Sequence, residues 1–192
     1  MLVVYYKQKY TNADRYIYHF TKSVNITVKM KKSITFIVTK DCQLACKYCY
    51  LVGKNSKERM TWQIAKQAID YILSHEDEFQ DEGVIWDFIG GEPFLEIDLI
   101  DKICDYIKKE MYIRNHHWFN DYIFSFTTNG LNYGSEKLQK YIAKNKEHLS
   151  ITITIDGTER KHDLNRIYKG SGKGSYKDVV KNIPLWLKQF PT

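Results

Sequence analysis

SITFIVTKDCQLACKYCY, residues Ser33 to Tyr50, leads an apolar, β-branched run of strand length directly into a loop carrying three cysteines. Ile, Val, Thr and Phe over seven residues favour a strand, and the polar stretch after Thr39 ends it. Cys42, Cys46 and Cys49 are separated by three residues and then by two. The same arrangement, an apolar run followed at once by residues able to do chemistry, recurs three times. VIWDFI (84–89) precedes Gly90-Gly91-Glu92-Pro93, YIFSFTT (122–128) precedes Asn129-Gly130, and SITITID (150–156) ends in Asp156-Gly157.

Helices are expected between these runs. TWQIAKQAIDYIL (61–73), LIDKICDYIKKEM (99–111) and SEKLQKYIAKNKEHL (135–149) repeat apolar residues at three- and four-residue spacing. Thr61 and Ser135 stand where N-caps belong. SYKDVVKNIPLWLKQF (175–190) reads as a fourth helix, kinked at Pro184. Alternating strands and helices predict an α/β fold with a parallel sheet, covered on both faces as it closes towards a barrel. Ligands in such folds bind at the carboxyl ends of the strands, so the four sets of residues should share one rim. Before this core, LVVYY, RYIYHF and SVNITV read as three short strands with a turn at residues 11–14, a strand-rich N-terminal extension over residues 1–32.

A chain of 192 residues suffices for one domain with a sizeable core, and 43% hydrophobic with 27% charged residues is ordinary globular composition. No apolar run approaches a membrane span and no signal-peptide pattern opens the chain, so the expected location is cytoplasmic, with no membrane partner. The net charge of +6 suits an anionic ligand or a solvated basic surface. No basic stripe interleaved with aromatics is present, so nucleic acid is not expected as a partner.

Three clustered cysteines in a reducing compartment point to metal chemistry before disulfides. Structural zinc takes four closed ligands, and the nearest histidines in sequence, His19 and His75, lie more than twenty residues away. A three-cysteine zinc site completed by the fold is one reading. Electron-transfer clusters take four cysteines, and the remaining one, Cys104, falls on the apolar stripe of the second helix, where it reads as core. A [4Fe-4S] cluster with three cysteine ligands and one open iron is the other reading. GSGKGS (170–175) lacks the full phosphate-loop spacing. His116-His117 has no carboxylate or cysteine near it in sequence, so it is not assigned as a metal site.

The cysteine motif, with the aromatic Tyr48 before its last cysteine, resembles the signature of radical S-adenosylmethionine (SAM) enzymes. FIGGEPFL (88–95) is similar to the family's GGEP motif, TTNG (127–130) to its strand-end TNG, and TIDGTERKHDLNR (154–166) to its Ser-Ile-Asp-Gly segment, with Thr154 in place of the usual Ser. The resemblance implies a partial (β/α) barrel over residues 33–192, with about four of six βα units and a C-terminally incomplete core. It implies that Cys42, Cys46 and Cys49 ligate a [4Fe-4S] cluster whose open iron chelates SAM, and that reductive cleavage yields a 5′-deoxyadenosyl radical. SAM would be contacted by Tyr48, Gly90, Gly91, Glu92, Pro93, Thr128, Asn129, Thr154 and Arg166. Glu92 would accept from the SAM ammonium, and Arg166 would pair with a carboxylate. Asp156, His162 and Asp163 would organise the loop.

The last segment is most similar to the branch that modifies peptides and proteins, the sulfatase-maturing and peptide-maturing enzymes with SPASM-type auxiliary domains. That implies a peptide or protein substrate and an electron donor such as flavodoxin or ferredoxin. Three expectations follow: a radical SAM core acting on a peptide, a cluster- and SAM-binding fragment without turnover, or a non-catalytic zinc protein with a three-cysteine site.

Overall fold

The computed structural model describes residues 31–51 and 55–191, so the strands expected before Lys31 lie outside the described residues. Four strands, β1 (Lys31–Thr39), β2 (Gly83–Gly90), β3 (Tyr122–Thr128) and β4 (Leu149–Ile153), form one sheet in the order β1-β2-β3-β4, each pair parallel. Three helices fill the crossovers: α1 (Trp62–Ser74), α2 (Ile97–Ile113) and α3 (Glu136–Asn145). This is the alternation expected of a partial (β/α) barrel.

Burial alternates along the strands with period two. One face carries Ile34, Phe36, Val38, Trp86, Phe88, Phe124, Phe126 and Ile151, all buried in the main core with the apolar stripes of α1, α2 and α3. Register sets Phe36 beside Phe88 and Phe88 beside Phe126. Their rings stack at 5.5 and 5.3 Å between centroids, a ladder across three strands. The opposite, inner face mixes isoleucines with Thr35, Asp87, Ser125, Thr127, Ser150 and Thr152, and none of these polar residues is buried. Among the described residues, helices cover only the first of these faces. Only one face is uniformly apolar, and that face gains most from burial.

The helices differ from expectation where local chemistry intervenes. Thr61 caps α1 by accepting from the Ile64 amide, whereas Ser135 occupies the N-cap of α3 without a side-chain cap bond. The third helix ends at Asn145 in a short 3-10 turn, and β4 begins at Leu149 and stops at Ile153, so Thr154 to Asp156 belong to the rim rather than the strand. Glu159–Asn165, within the TIDGTERKHDLNR segment, is helical (α4), capped by the Thr158 hydroxyl on the Lys161 amide. The fourth expected helix is two, α5 (Tyr176–Val180) and α6 (Ile183–Gln189), with Pro184 in the first turn of the second. Proline lacks an amide hydrogen, so it starts a helix more readily than it continues one.

The aromatic ladder should dominate stability. Phe88→Ala is expected to lower the unfolding free energy by about 3–5 kcal/mol, read from urea denaturation. A loss under ~1 kcal/mol would show that the ladder is not a tightly packed core.

Candidate active site

The cysteine loop, Lys40 to Tyr50, leaves the end of β1 and is held by a segment more than a hundred residues away. Ala45 donates to the Ile167 carbonyl at 2.8 Å, Lys47 to Asn165 at 3.0 Å, and Lys169 to Gln43 at 2.8 Å. Leu44 faces Tyr168 in an antiparallel bridge, and its side chain is buried. Within the loop the Cys42 amide donates to Asp41 Oδ1 at 2.9 Å. The Cys42 sulfur in turn receives the Leu44 amide at 3.4 Å and the Asn129 side-chain amide at 3.7 Å. Burial pushes the Cys42 thiol up to about 11 despite these donors.

Gly90 and Gly91 sit where β2 meets this loop. A Cβ on Gly90 would run into the Thr39 carbonyl oxygen, and one on Gly91 into that of Asp41. The Gly91 and Glu92 amides donate to those same carbonyls at 2.8 and 2.9 Å. The glycines thus let the chain's own cysteine loop lie against β2. Glu92 is wholly buried and faces inward: Oε1 accepts from Thr128 Oγ1 at 2.7 Å and the Phe94 amide at 3.2 Å, Oε2 from the Asn129 amide at 2.7 Å. Burial raises its pKa above the usual carboxylate range, while these donors and Arg166 pull it down. Here the carboxylate is a fastener between the ends of β2 and β3.

The third strand end supplies two further ties. Asn129 Nδ2 donates to Gln43 Oε1 at 3.1 Å, and its Oδ1 accepts the Leu131 amide at 2.9 Å. The Thr154 amide donates to the Thr128 carbonyl at 3.0 Å. At the fourth strand end, the Tyr48 hydroxyl donates to the Asp156 carboxylate at 2.7–2.8 Å and accepts from Arg166 at 2.7 Å. Arg166 is 7% exposed, and its Nε has no partner among the described residues. Behind it lies a relay with one consistent proton arrangement. His162 Nδ1 accepts the Asp156 amide at 3.4 Å, its Nε2 donates to Ser175 Oγ at 3.0 Å, and Ser175 donates to the Arg166 carbonyl at 2.7 Å. Asp156 and His162 thus organise the loop, as does Asp163, whose Oδ1 accepts the Tyr176 amide at 2.9 Å.

These groups surround a cavity of about 220 Å³. Cys42, Cys46 and Cys49 line it, as do Tyr48, Gly90, Gly91, Thr128, Asn129, Thr154 and Arg166. Of the residues expected to hold the cluster or contact SAM, Glu92 and Pro93 alone do not line it, and both are buried. Cys104 is fully buried in the core, its sulfur 3.2 Å from the Tyr141 hydroxyl, away from the cavity. The roles of Asp41, Gln43 and Ser175, and the backbone pairing of residues 165–169, escaped the sequence reading. Their roles rest on pairings across the fold, for which neighbouring residues carry no signal.

The His116-His117 pair does gain a carboxylate. Glu76 Oε2 lies 3.4 Å from His117 Nδ1, and donor atoms of all three residues fall within 4.8 Å of one another. The two imidazoles, however, stack 18° from parallel with centroids 4.5 Å apart. A metal lies near the plane of each imidazole it binds, and two stacked planes share no such point. His116 Nδ1 is already engaged, capping the Trp118 amide at 3.2 Å.

Two outcomes test this architecture. Thr128→Val deprives the buried Glu92 of a donor and is expected to cost about 1–3 kcal/mol in urea denaturation, with Thr128→Ser retaining most of the stability. Burial holds His162 and His116 below their ordinary pKa, with Arg166 adding to the effect on His162. At these two histidines the unfolded chain binds more protons than the native one below about pH 6.5, so their contribution to stability should be full above that pH and be lost as pH drops through it. The fall should be shallower in His162→Gln; an unchanged slope would contradict the relay.

Comparison with known proteins agrees with the geometry. Residues 36–192 match the family model described as the radical SAM superfamily. An uncharacterized protein of Methanocaldococcus jannaschii is 36% identical over 83% of this chain, which spans 49% of that protein. The radical SAM cyclopropyl synthase TigE of Paramaledivibacter caminithermalis is 25% identical over 80% of this chain, which spans 32% of that enzyme. Among solved structures, native anSMEcpe with bound AdoMet and the Kp18Cys peptide superposes with a TM-score of 0.65 at 23% identity, covering 82% of this chain and 40% of that one. The chain thus spans half or less of the relatives it matches. With its four strand ends, three loop cysteines and shared rim, the chain belongs to the radical SAM superfamily.

Proposed function

We propose that this chain is a radical SAM enzyme core that binds a [4Fe-4S] cluster through Cys42, Cys46 and Cys49, cleaves SAM reductively, and serves in the modification of a ribosomal peptide or protein. The observation that carries the reading is one cavity lined by all three cysteines together with residues from the ends of all four strands. When bound, the cluster supplies the electron that splits SAM into methionine and a 5′-deoxyadenosyl radical.

The residues present fit both groups. Three thiols lining one cavity, with no fourth cysteine there, suit a cluster that leaves one iron open. Arg166, whose guanidinium-bearing side chain lines the cavity, suits an anionic group, here the SAM carboxylate. Asn129 and Thr154 offer polar contacts from the third and fourth strand ends, and Gly90 and Gly91 line the cavity from the second. Tyr48, clasped to Asp156 and Arg166, positions the guanidinium from the cysteine loop. Glu92 acts indirectly, holding Thr128 and Asn129 in place.

Peptide modification is supported by one similar structure, anSMEcpe with AdoMet and a bound peptide. Under this reading residues 33–192 form the core domain, residues 1–32 an extension to it, and an electron donor such as flavodoxin or ferredoxin feeds the cluster.

Anaerobic reconstitution with iron and sulfide should give a broad absorbance near ~400 nm. The reduced sample should then form 5′-deoxyadenosine from SAM, and Cys46→Ala should abolish both signals. Stoichiometric zinc with no such absorbance would sink the cluster assignment. A loaded chain that binds SAM without forming 5′-deoxyadenosine would instead make it a binding fragment.

A further inference from the structure

The inner face of the sheet carries a polar row that the cavity does not use. Register places Thr35 beside Asp87, Asp87 beside Ser125, and Ser125 beside Ser150, one residue from each strand. Thr35 and Ser125 flank Asp87 from the two neighbouring strands, and their hydroxyls hold its pKa down against burial. One step up the same face, Ile89 and Thr127 line the cavity. Two residues along a strand span about 7 Å, so the row lies one side-chain length below the cavity wall.

Asp87 is half-buried, and no cation among the described residues pairs with it. Neighbouring inner-face positions hold Ile, Ser and Thr. The other charged residue of that parity, Lys31, lies at the far end of β1 and is paired with Asp121. Burial raises the Asp87 pKa, the mark of a carboxylate whose charge is poorly compensated. Two hydroxyls flank it, but among the described residues no counter-charge faces it. A purely structural cross-strand link would be served as well by a neutral amide.

We propose that Asp87, flanked by Thr35 and Ser125, is a substrate-recognition point that takes a cationic group, a lysine-type ammonium, of the molecule presented to the cavity. This rests on the reading of the cavity as the SAM site. The row is neutral except for Asp87, so a cation there gains a charge-assisted hydrogen bond on a partly desolvated surface, while a neutral chain of the same shape gains none. Asp87 thereby sets which side chain of a peptide is accepted beneath the cavity.

The test uses the reconstituted full chain with SAM and two probes, N-acetyl-lysine N-methylamide and its neutral counterpart N-acetyl-norleucine N-methylamide, titrated by ligand-observed NMR. The lysine probe should bind about tenfold more tightly. In Asp87→Asn the ratio should fall to about one, with thermal stability equal or higher, since a poorly paired charge has been removed. Equal binding of the probes to the unaltered chain, or a lysine preference that survives in Asp87→Asn, overturns the proposal. So does loss of SAM affinity in Asp87→Asn with the lysine preference intact, which would assign the carboxylate to SAM. Formation of 5′-deoxyadenosine in the unaltered samples separates the two levels: cleavage without lysine preference sinks the subsite alone, and no cleavage with no preference sinks both.

Discussion

The site depends on one contact, the antiparallel pairing of the cysteine loop with residues 165–169. A loop of eleven residues with three cysteines has no reason of its own to adopt one shape, since fixing each residue costs roughly 1–2 kcal/mol of conformational entropy. Three backbone hydrogen bonds and the buried Leu44 offset part of that cost and give the loop a fixed backing. The backing strip is itself held by the His162–Ser175–Arg166 relay, so the first and fourth strand ends are tied together. The glycine pair completes the arrangement from the other side, because only a residue without a Cβ lets β2 lie that close to Thr39 and Asp41.

The sheet divides its labour between two faces. Stacked phenylalanines on the outer face anchor the helices and make the strands rigid. The inner face, free of that duty, carries hydroxyls among its isoleucines and the carboxylate of Asp87. Period-two alternation permits this division: a strand residue can serve stability or chemistry according to its parity, and neighbours in sequence do opposite things. Asp87 lies between Trp86 and Phe88, both fully buried in the apolar core.

Buried polar groups are where stability and function meet. Glu92 is held out of water by three donors, and Arg166, which lines the cavity, keeps a buried Nε–H without a partner among the described residues. The first is a closed network that stiffens the rim. The second is an open one, the kind of cost a folded chain retains where a ligand relieves it.

Much of this was legible in the sequence. Hydrophobic periodicity located the four strands and the first three helices, because burial of one face is a local pattern with a fixed period. The clustering of chemistry after each strand located the rim, because parallel strands bring their carboxyl ends to the same side. What periodicity could not reach were contacts between residues far apart: the loop pairing with 165–169, the inward turn of Glu92, and the carboxylate beside His117. Chain spacing therefore determined which residues could meet at the rim. Only the tertiary structure decided which of them face the cavity and which hold its wall, since a side chain's direction is set by the long-range contacts that bury or free it.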